Sequence, residues 1–151
     1  MFLFVMIVVA FSGCRDYGVD ADGNPNVQDD TIGVVEHDVP FEIGVGRSVN
    51  LDGSELSIEF SLVTEDNRCA SDVVCIHPGR AGVLLTLTDH QGVRHQLISH
   101  IPGLVPTPYR LNDIIQFEGH RFRLLRLNPY PNTTDPTQNE EYLALIEIDR
   151  L

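Results

Sequence analysis

Glu55-Leu-Ser-Ile-Glu-Phe-Ser-Leu62 is the stretch on which the fold class turns. Leu56, Ile58, Phe60 and Leu62 fall on one side of a two-residue period, and Glu55, Ser57, Glu59 and Ser61 on the other. That alternation is a strand with one face in a core and one in solvent. Val83, Leu85 and Leu87 repeat it against Thr86 and Thr88, and Val49 and Leu51 do so briefly. Phe122 and Leu124 share a face, but the next inward pair reads as Leu125 and Leu127, a phase slip that predicts a β-bulge. A last strand is expected near residues 142–148. Asp52-Gly53, Gln91-Gly92 and Glu118-Gly119-His120 are turn sequences, while Pro102, Pro106, Pro108, Pro129, Pro131 and Pro136 mark irregular connections. No segment carries a helical stripe. The expectation is an all-β fold, an antiparallel β-sandwich or open barrel of about seven to eight strands.

Upstream of this domain the chain opens with the apolar run Met1-Phe-Leu-Phe-Val-Met-Ile-Val-Val-Ala-Phe-Ser-Gly13, followed by Cys14. The run is shorter than the about 20 residues a bilayer span needs and has the length of a signal-peptide core. Phe11-Ser12-Gly13-Cys14 reads as a lipobox, in which small residues admit a signal peptidase and the thiol accepts a diacylglycerol. No Lys or Arg precedes the run, which a start further upstream explains, and Phe11 stands where a lipobox prefers Leu. An ordinary signal peptide with an incidental cysteine is the alternative. The expected organisation is a lipoprotein signal peptide over residues 1–13, an acidic flexible linker over 14–30 with lipidated Cys14, and a β-sandwich domain over 31–151. Two or more acyl chains at Cys14 would anchor the protein stably. Arg15, in place of an inner-membrane retention Asp, favours the outer membrane in a two-membrane cell. The linker carries Asp16, Asp20, Asp22, Asp29 and Asp30 with almost nothing apolar, as a tether does. Its partial likeness to a calcium loop fails at Gly18, which has no side-chain ligand at the first position.

The apolar fraction of 42% suits a globular domain. The net charge of −12 argues against nucleic acid, which needs basic patches, and against docking on anionic lipid. Its plain meaning is solubility; its sharper one is a basic partner.

With Cys14 lipidated, Cys69 and Cys75 remain, an even pair in an exported domain and hence an expected disulfide. Its short loop implies roughly 2 to 2.5 kcal/mol of stabilisation. A zinc site would need two more close ligands beyond His77, and the C-x-x-C redox spacing is absent.

The segment Glu65-Asp-Asn-Arg-Cys-Ala-Ser-Asp-Val-Val-Cys-Ile-His-Pro-Gly-Arg-Ala81 resembles a motif of small bacterial secreted proteins and lipoproteins of uncharacterised function, which reads approximately D-S-R-C-P-x-D-V-x-C-x-W-A-G-x-A. Gly46-Arg-Ser-Val49, Pro129-Tyr-Pro131 and Tyr142-Leu-Ala-Leu145 are similar to flanking features of that family. The resemblance spans about Phe41 to Asp149 and implies fold and location, with no activity to carry over. Asn67, Ala70 and His77-Pro78 replace the family's Ser, Pro and Trp-Ala. His77 is therefore either an altered recognition residue or a substitute for a ring packed on the disulfide.

No catalytic constellation emerges. G-x-S-x-G, H-E-x-x-H and Gly-rich phosphate loops are missing, and Glu140-Glu141 reads as a solvated pair. Strand parity puts His95 with Val93 and Leu97, away from His90 and His100. The expectation is a protein without enzymatic activity, catalytic residue, metal or cofactor. Loops carry binding in such folds, so the candidate binding residues are Arg68, Asp72, His77 and Arg80 around the disulfide and Tyr130 on the 129–139 loop. A staple lowers the ordering cost of binding. Arg68 has an alternative as an internal partner of Asp66 or Asp72, and Tyr130 as a core plug. The functional expectation is a binding or structural module of the cell envelope, held to the membrane through Cys14, with a possible protein partner. The rivals are an inhibitor of an envelope hydrolase and a metal-binding lipoprotein using His95 and His100.

Overall fold

The computed structural model describes residues 31–104, 113–134 and 137–151. The expected signal peptide, Cys14, the expected linker with its calcium-like stretch, and Pro106, Pro108 and Pro136 lie outside the described residues. Within them nine strands form two sheets. They are β1 (Thr31–Val35), β2 (Phe41–Gly44), β3 (Arg47–Leu51), β4 (Ser57–Asp66), β5 (Arg80–Thr88), β6 (Arg94–Pro102), β7 (Ile114–Phe117), β8 (His120–Asn128) and β9 (Leu143–Arg150). One sheet has the order β1-β3-β4-β5-β6 and the other β2-β9-β8-β7. The fold is thus a β-sandwich with one disulfide, Cys69 to Cys75. Among the described residues no helix is long and apolar enough to cross a membrane.

The count exceeds the expected seven to eight because β1, β2 and β7 have four or five residues each, too few for a period to register. All pairings are antiparallel except β1 with β3. Between those two the chain crosses to the second sheet, pairs β2 with β9, and returns through Val45 and Gly46. A parallel neighbour needs such a crossover.

The inward faces match the period-two reading with two corrections. Leu56, Ile58 and Phe60 are buried, as are Val49, Leu51, Val83, Leu85 and Leu87. Leu62 is not on that face. Ser61 is an extra residue in β4, since Phe60 opposes Leu85 while Leu62 opposes Leu84. This bulge turns Leu62 outward and Val63 inward. The Ser61 hydroxyl is held by Thr86 Oγ1 at 2.7 Å and Glu59 Oε1 at 3.1 Å. The bulge expected in β8 is present: Leu124 opposes Ile146 and Arg126 opposes Leu145, which makes Leu125 the extra residue. The inward pair is consequently Leu124 and Leu127 rather than Leu125 and Leu127. Ala144, Ile146 and Ile148 of β9 complete the core from the second sheet.

One end of the sandwich carries short turns. Asp89 caps the β5–β6 hairpin, accepting from the N–H groups of Gln91 and Val93 at 2.8 and 2.9 Å. Glu118 and Gly119, with φ of 46° and 77°, make the two-residue β7–β8 turn. The long connection 67–79 and residues 129–134 after β8 lie at the opposite end.

Candidate functional site

The long-loop end is built around Arg68, just after β4. This side chain is 2% exposed. Its Nε and Nη2 donate to the two carboxylate oxygens of Asp66 at 2.8 and 2.6 Å. Nη1 donates to the Leu127 carbonyl at 2.7 Å and Nη2 also to that of Pro129 at 3.1 Å. The guanidinium carbon lies 4.7 Å from the centre of the Tyr130 ring, a cation–π distance. Tyr142 donates its hydroxyl to Asp66 Oδ2 at 2.9 Å. Burial, reinforced by that bond to a carboxylate, pushes the Tyr142 phenol above its usual pKa. Arg68 therefore ties the end of β4 to the end of β8 from inside. The alternative reading of Arg68 as a partner of Asp66 describes it, and its place among the accessible binding residues is corrected: a guanidinium this buried and this occupied has no free face for a partner.

The disulfide loop is fastened on three sides. Cys69 N–H donates to the Pro78 carbonyl at 2.8 Å across its neck. Ser71 N–H donates to the Pro131 carbonyl at 2.9 Å. Asp72 accepts from the Thr133 N–H at 3.1 Å and from the Thr133 hydroxyl. The hydroxyl bond, seconded by the N–H bond, holds the Asp72 carboxyl below the usual carboxylate range. The return of the loop passes so close to its neighbours that side chains are excluded. A Cβ on Gly79, where φ is 66°, would meet Asn67 O at 1.7 Å, and one on Gly103 would meet Pro78 O at 1.9 Å.

On this fastened base the tip faces solvent. Val74 and Ile76 are essentially fully exposed, and Val73 is about half exposed. His77 beside them is exposed as well. Tyr130 is half-buried; its hydroxyl accepts from Leu104 N–H at 2.9 Å. A cavity of about 370 Å³ opens next to it, walled by Arg68, Ile101, Leu104, Leu125, Leu127 and Tyr130. Arg80 belongs to β5 and pairs with Glu65 at 2.9 Å on the exposed sheet face. Of the five residues singled out from the sequence, Arg68, Asp72 and Tyr130 come together as the scaffold of the two loops, His77 stands on the exposed tip, and Arg80 lies apart.

Sequence reasoning missed Tyr142 as a partner of Asp66 and Thr133 as the partner of Asp72, because each contact joins segments far apart in the chain. It also passed over Val73-Val74-Cys75-Ile76, although two β-branched apolar residues inside a cysteine-bounded loop and a third just after it were a signal that could have been read.

The histidines do not converge. His95 Nε2 is 2.9 Å from Asp89 Oδ2, and His100 Nδ1 is 2.7 Å from Asp113 Oδ2. Five residues apart on β6, the two imidazoles are on opposite faces. At the other end of the sandwich His37 and His120 stack with ring centres 5.2 Å apart. Burial, then the positive charge of Arg150 and His120, lowers the His37 pKa. Among the described residues no three His, Cys, Asp or Glu side chains group as a metal site.

Comparison with known proteins yields no match to a protein-family model, a curated protein or a solved structure.

Proposed function

We propose that this protein is a lipid-anchored binding module of the bacterial cell envelope whose contact surface is the tip of the disulfide loop. One observation carries the reading: Val74 and Ile76 are held in full contact with water on a loop secured by a disulfide, by Ser71 to Pro131 and by Asp72 to Thr133. Exposing two aliphatic side chains costs about 1.5 to 3 kcal/mol each relative to burying them, and a rigid base means little ordering entropy is lost when a partner covers them. The anchoring half of the proposal rests on the lipobox-like Phe11-Ser12-Gly13-Cys14 and the acidic linker after it.

The same convex, clamped tip supports a second reading, an inhibitor that presents residues 73–77 to the cleft of an envelope hydrolase. It requires a one-to-one complex that blocks turnover.

A photo-reactive residue in place of Ile76 in intact cells tests the proposal, with the same residue at exposed Gln91 on the opposite end as control. A discrete adduct from position 76 alone is expected, and a hydrolase as the captured chain would select the second reading. Folded, membrane-associated protein that yields no adduct at 76, or the same adduct from both positions, would overturn the assignment of this surface.

A further inference from the structure

β6 is an edge strand, and among the described residues its outer backbone is unpaired over about half its length. In the β5–β6 ladder Ala81 opposes Ile101, Gly82 opposes His100 and Val83 opposes Ser99. The terminal bonds fix which pairs are hydrogen-bonded: Gly103 N–H donates to the Gly79 carbonyl at 2.9 Å, and Asp89 N–H to the Val93 carbonyl at 3.0 Å. Odd-numbered residues of β6 thus bond to β5. Even-numbered ones, Arg94, Gln96, Ile98 and His100, direct both N–H and C=O away from the sheet. Asp113 satisfies His100: its side chain accepts from the His100 N–H at 3.1 Å, and its N–H donates to the His100 carbonyl at 3.2 Å. Asp113 so imitates one residue of an added strand. The outward groups of Arg94, Gln96 and Ile98 have no such partner among the described residues.

Side chains along this edge also suit an added strand. On the outer face of the sheet Leu62 opposes Leu84, and Leu84 opposes Ile98. This apolar row stops at Ile98, which is 48% exposed. Natural edges are usually shielded by charged side chains, proline, a bulge or an inward charge; the segment 94–98 has one such device at its end, Arg94, whose guanidinium is paired with Glu59 at 2.8 Å, and otherwise contains no proline and pairs residue for residue with β5.

We propose that β6 accepts an extended segment of a partner protein as a further strand, bonded to the backbone of Arg94, Gln96 and Ile98, with an aliphatic residue of the partner continuing the Leu62–Leu84–Ile98 row. Strand addition of this kind draws affinity from main-chain hydrogen bonds and selectivity from alternate side chains. The chain's net charge of −12 favours a neutral or basic strand and disfavours a second copy, which would bring the same charge. This surface is independent of the disulfide loop.

The test uses the full-length chain in mild detergent and a panel of short synthetic peptides that alternate threonine with isoleucine or valine between terminal lysines, followed by amide hydrogen exchange. The expected result is about tenfold slower exchange at Arg94, Gln96 and Ile98 with the peptides. No slowing should occur with counterparts N-methylated at the edge-facing residues, or in Gln96→Pro. That proline deletes an outward N–H and leaves the ladder to β5 intact. Equal slowing by the methylated peptides would overturn the inference, as would no slowing by any peptide at millimolar concentration. So would amides already protected in dilute free protein, or protection that grows with protein concentration without peptide, which would make a second copy the occupant. Ile98→Asp, which keeps every backbone donor, should weaken peptide binding at least severalfold and provides the reading if Gln96→Pro does not fold.

Discussion

Replacing Arg68 by methionine removes the tie between β4 and β8 at the long-loop end, and the cost can be worked from its contacts. Four hydrogen bonds are lost, two to Asp66 and one each to the carbonyls of Leu127 and Pro129. The Asp66 side chain, only 9% exposed, is left without its counter-charge. Breaking a buried ion pair from one side costs about 3 to 5 kcal/mol. Asp66 keeps the Tyr142 hydroxyl and the backbone N–H of residue 68, and methionine retains much of the apolar stem. These place the loss at the lower end, about 3 kcal/mol. With a urea slope of about 1.5 kcal/mol per molar for a domain of this size, the unfolding midpoint should fall by about 2 M. The paired substitution Asp66→Asn with Arg68→Met removes the orphaned charge together with its partner, and should return to within about 1 kcal/mol of the parent. A midpoint shift below about 0.5 M for Arg68→Met, or a double variant as unstable as the sum of the two singles, would refute the view that this pair locks the loop end.

Gly103→Ala should destabilise the protein by more than about 2 kcal/mol, because the new methyl would lie 1.9 Å from the backbone oxygen of Pro78; thermal unfolding checks this. Replacing Cys69 and Cys75 by serine should cost about 2 kcal/mol through the short closed loop, and amide exchange should show the Ser71 and Thr133 bonds opening faster while the strands stay protected. The His37 pKa is depressed in the folded protein below its ordinary 6.5, so the unfolded chain binds that proton more tightly. The contribution of His37 is complete above pH 6.5 and is lost as the pH falls below it. His37→Gln should flatten the midpoint-versus-pH profile between pH 7.5 and 5.5 in denaturant melts, and an unchanged slope would contradict the assignment.

Much of the sandwich was legible because a half-buried strand writes its own period. Leu56 to Phe60, Val83 to Leu87 and Phe122 to Leu124 alternate in sequence, and their apolar members are buried in the structure, although Thr86 on the other face of β5 is buried as well. The reading failed where one extra residue interrupts the ladder. At Ser61 nothing in the sequence distinguishes a bulge from continued alternation, since Leu62 and Val63 are both apolar; the partner strand decides which turns inward. At Leu125 two adjacent leucines did betray the slip, but not which of them was the extra one. The candidate loop was found through its cysteines, and its neck and tip were then sorted by burial alone. Arg68 and His77 are equally polar in sequence, yet one is enclosed by Asp66, Tyr130 and two carbonyls and the other stands in water.

By itself the sequence determined the class of the fold, the strands that face its core, the turn positions, and a cysteine pair close enough to staple one long connection. All of these are local: a two-residue period, a glycine able to take positive φ, two thiols six residues apart. Only the tertiary structure decided the two-sheet order, the parallel β1–β3 pair, the burial of Arg68, the exposure of Val74 and Ile76, and, among the described residues, the lack of a partner for the outward backbone of β6 from Arg94 to Ile98. Each of these depends on which distant segment lies alongside, and a backbone N–H or a guanidinium has no intrinsic preference that identifies its partner until the fold brings one within bonding distance.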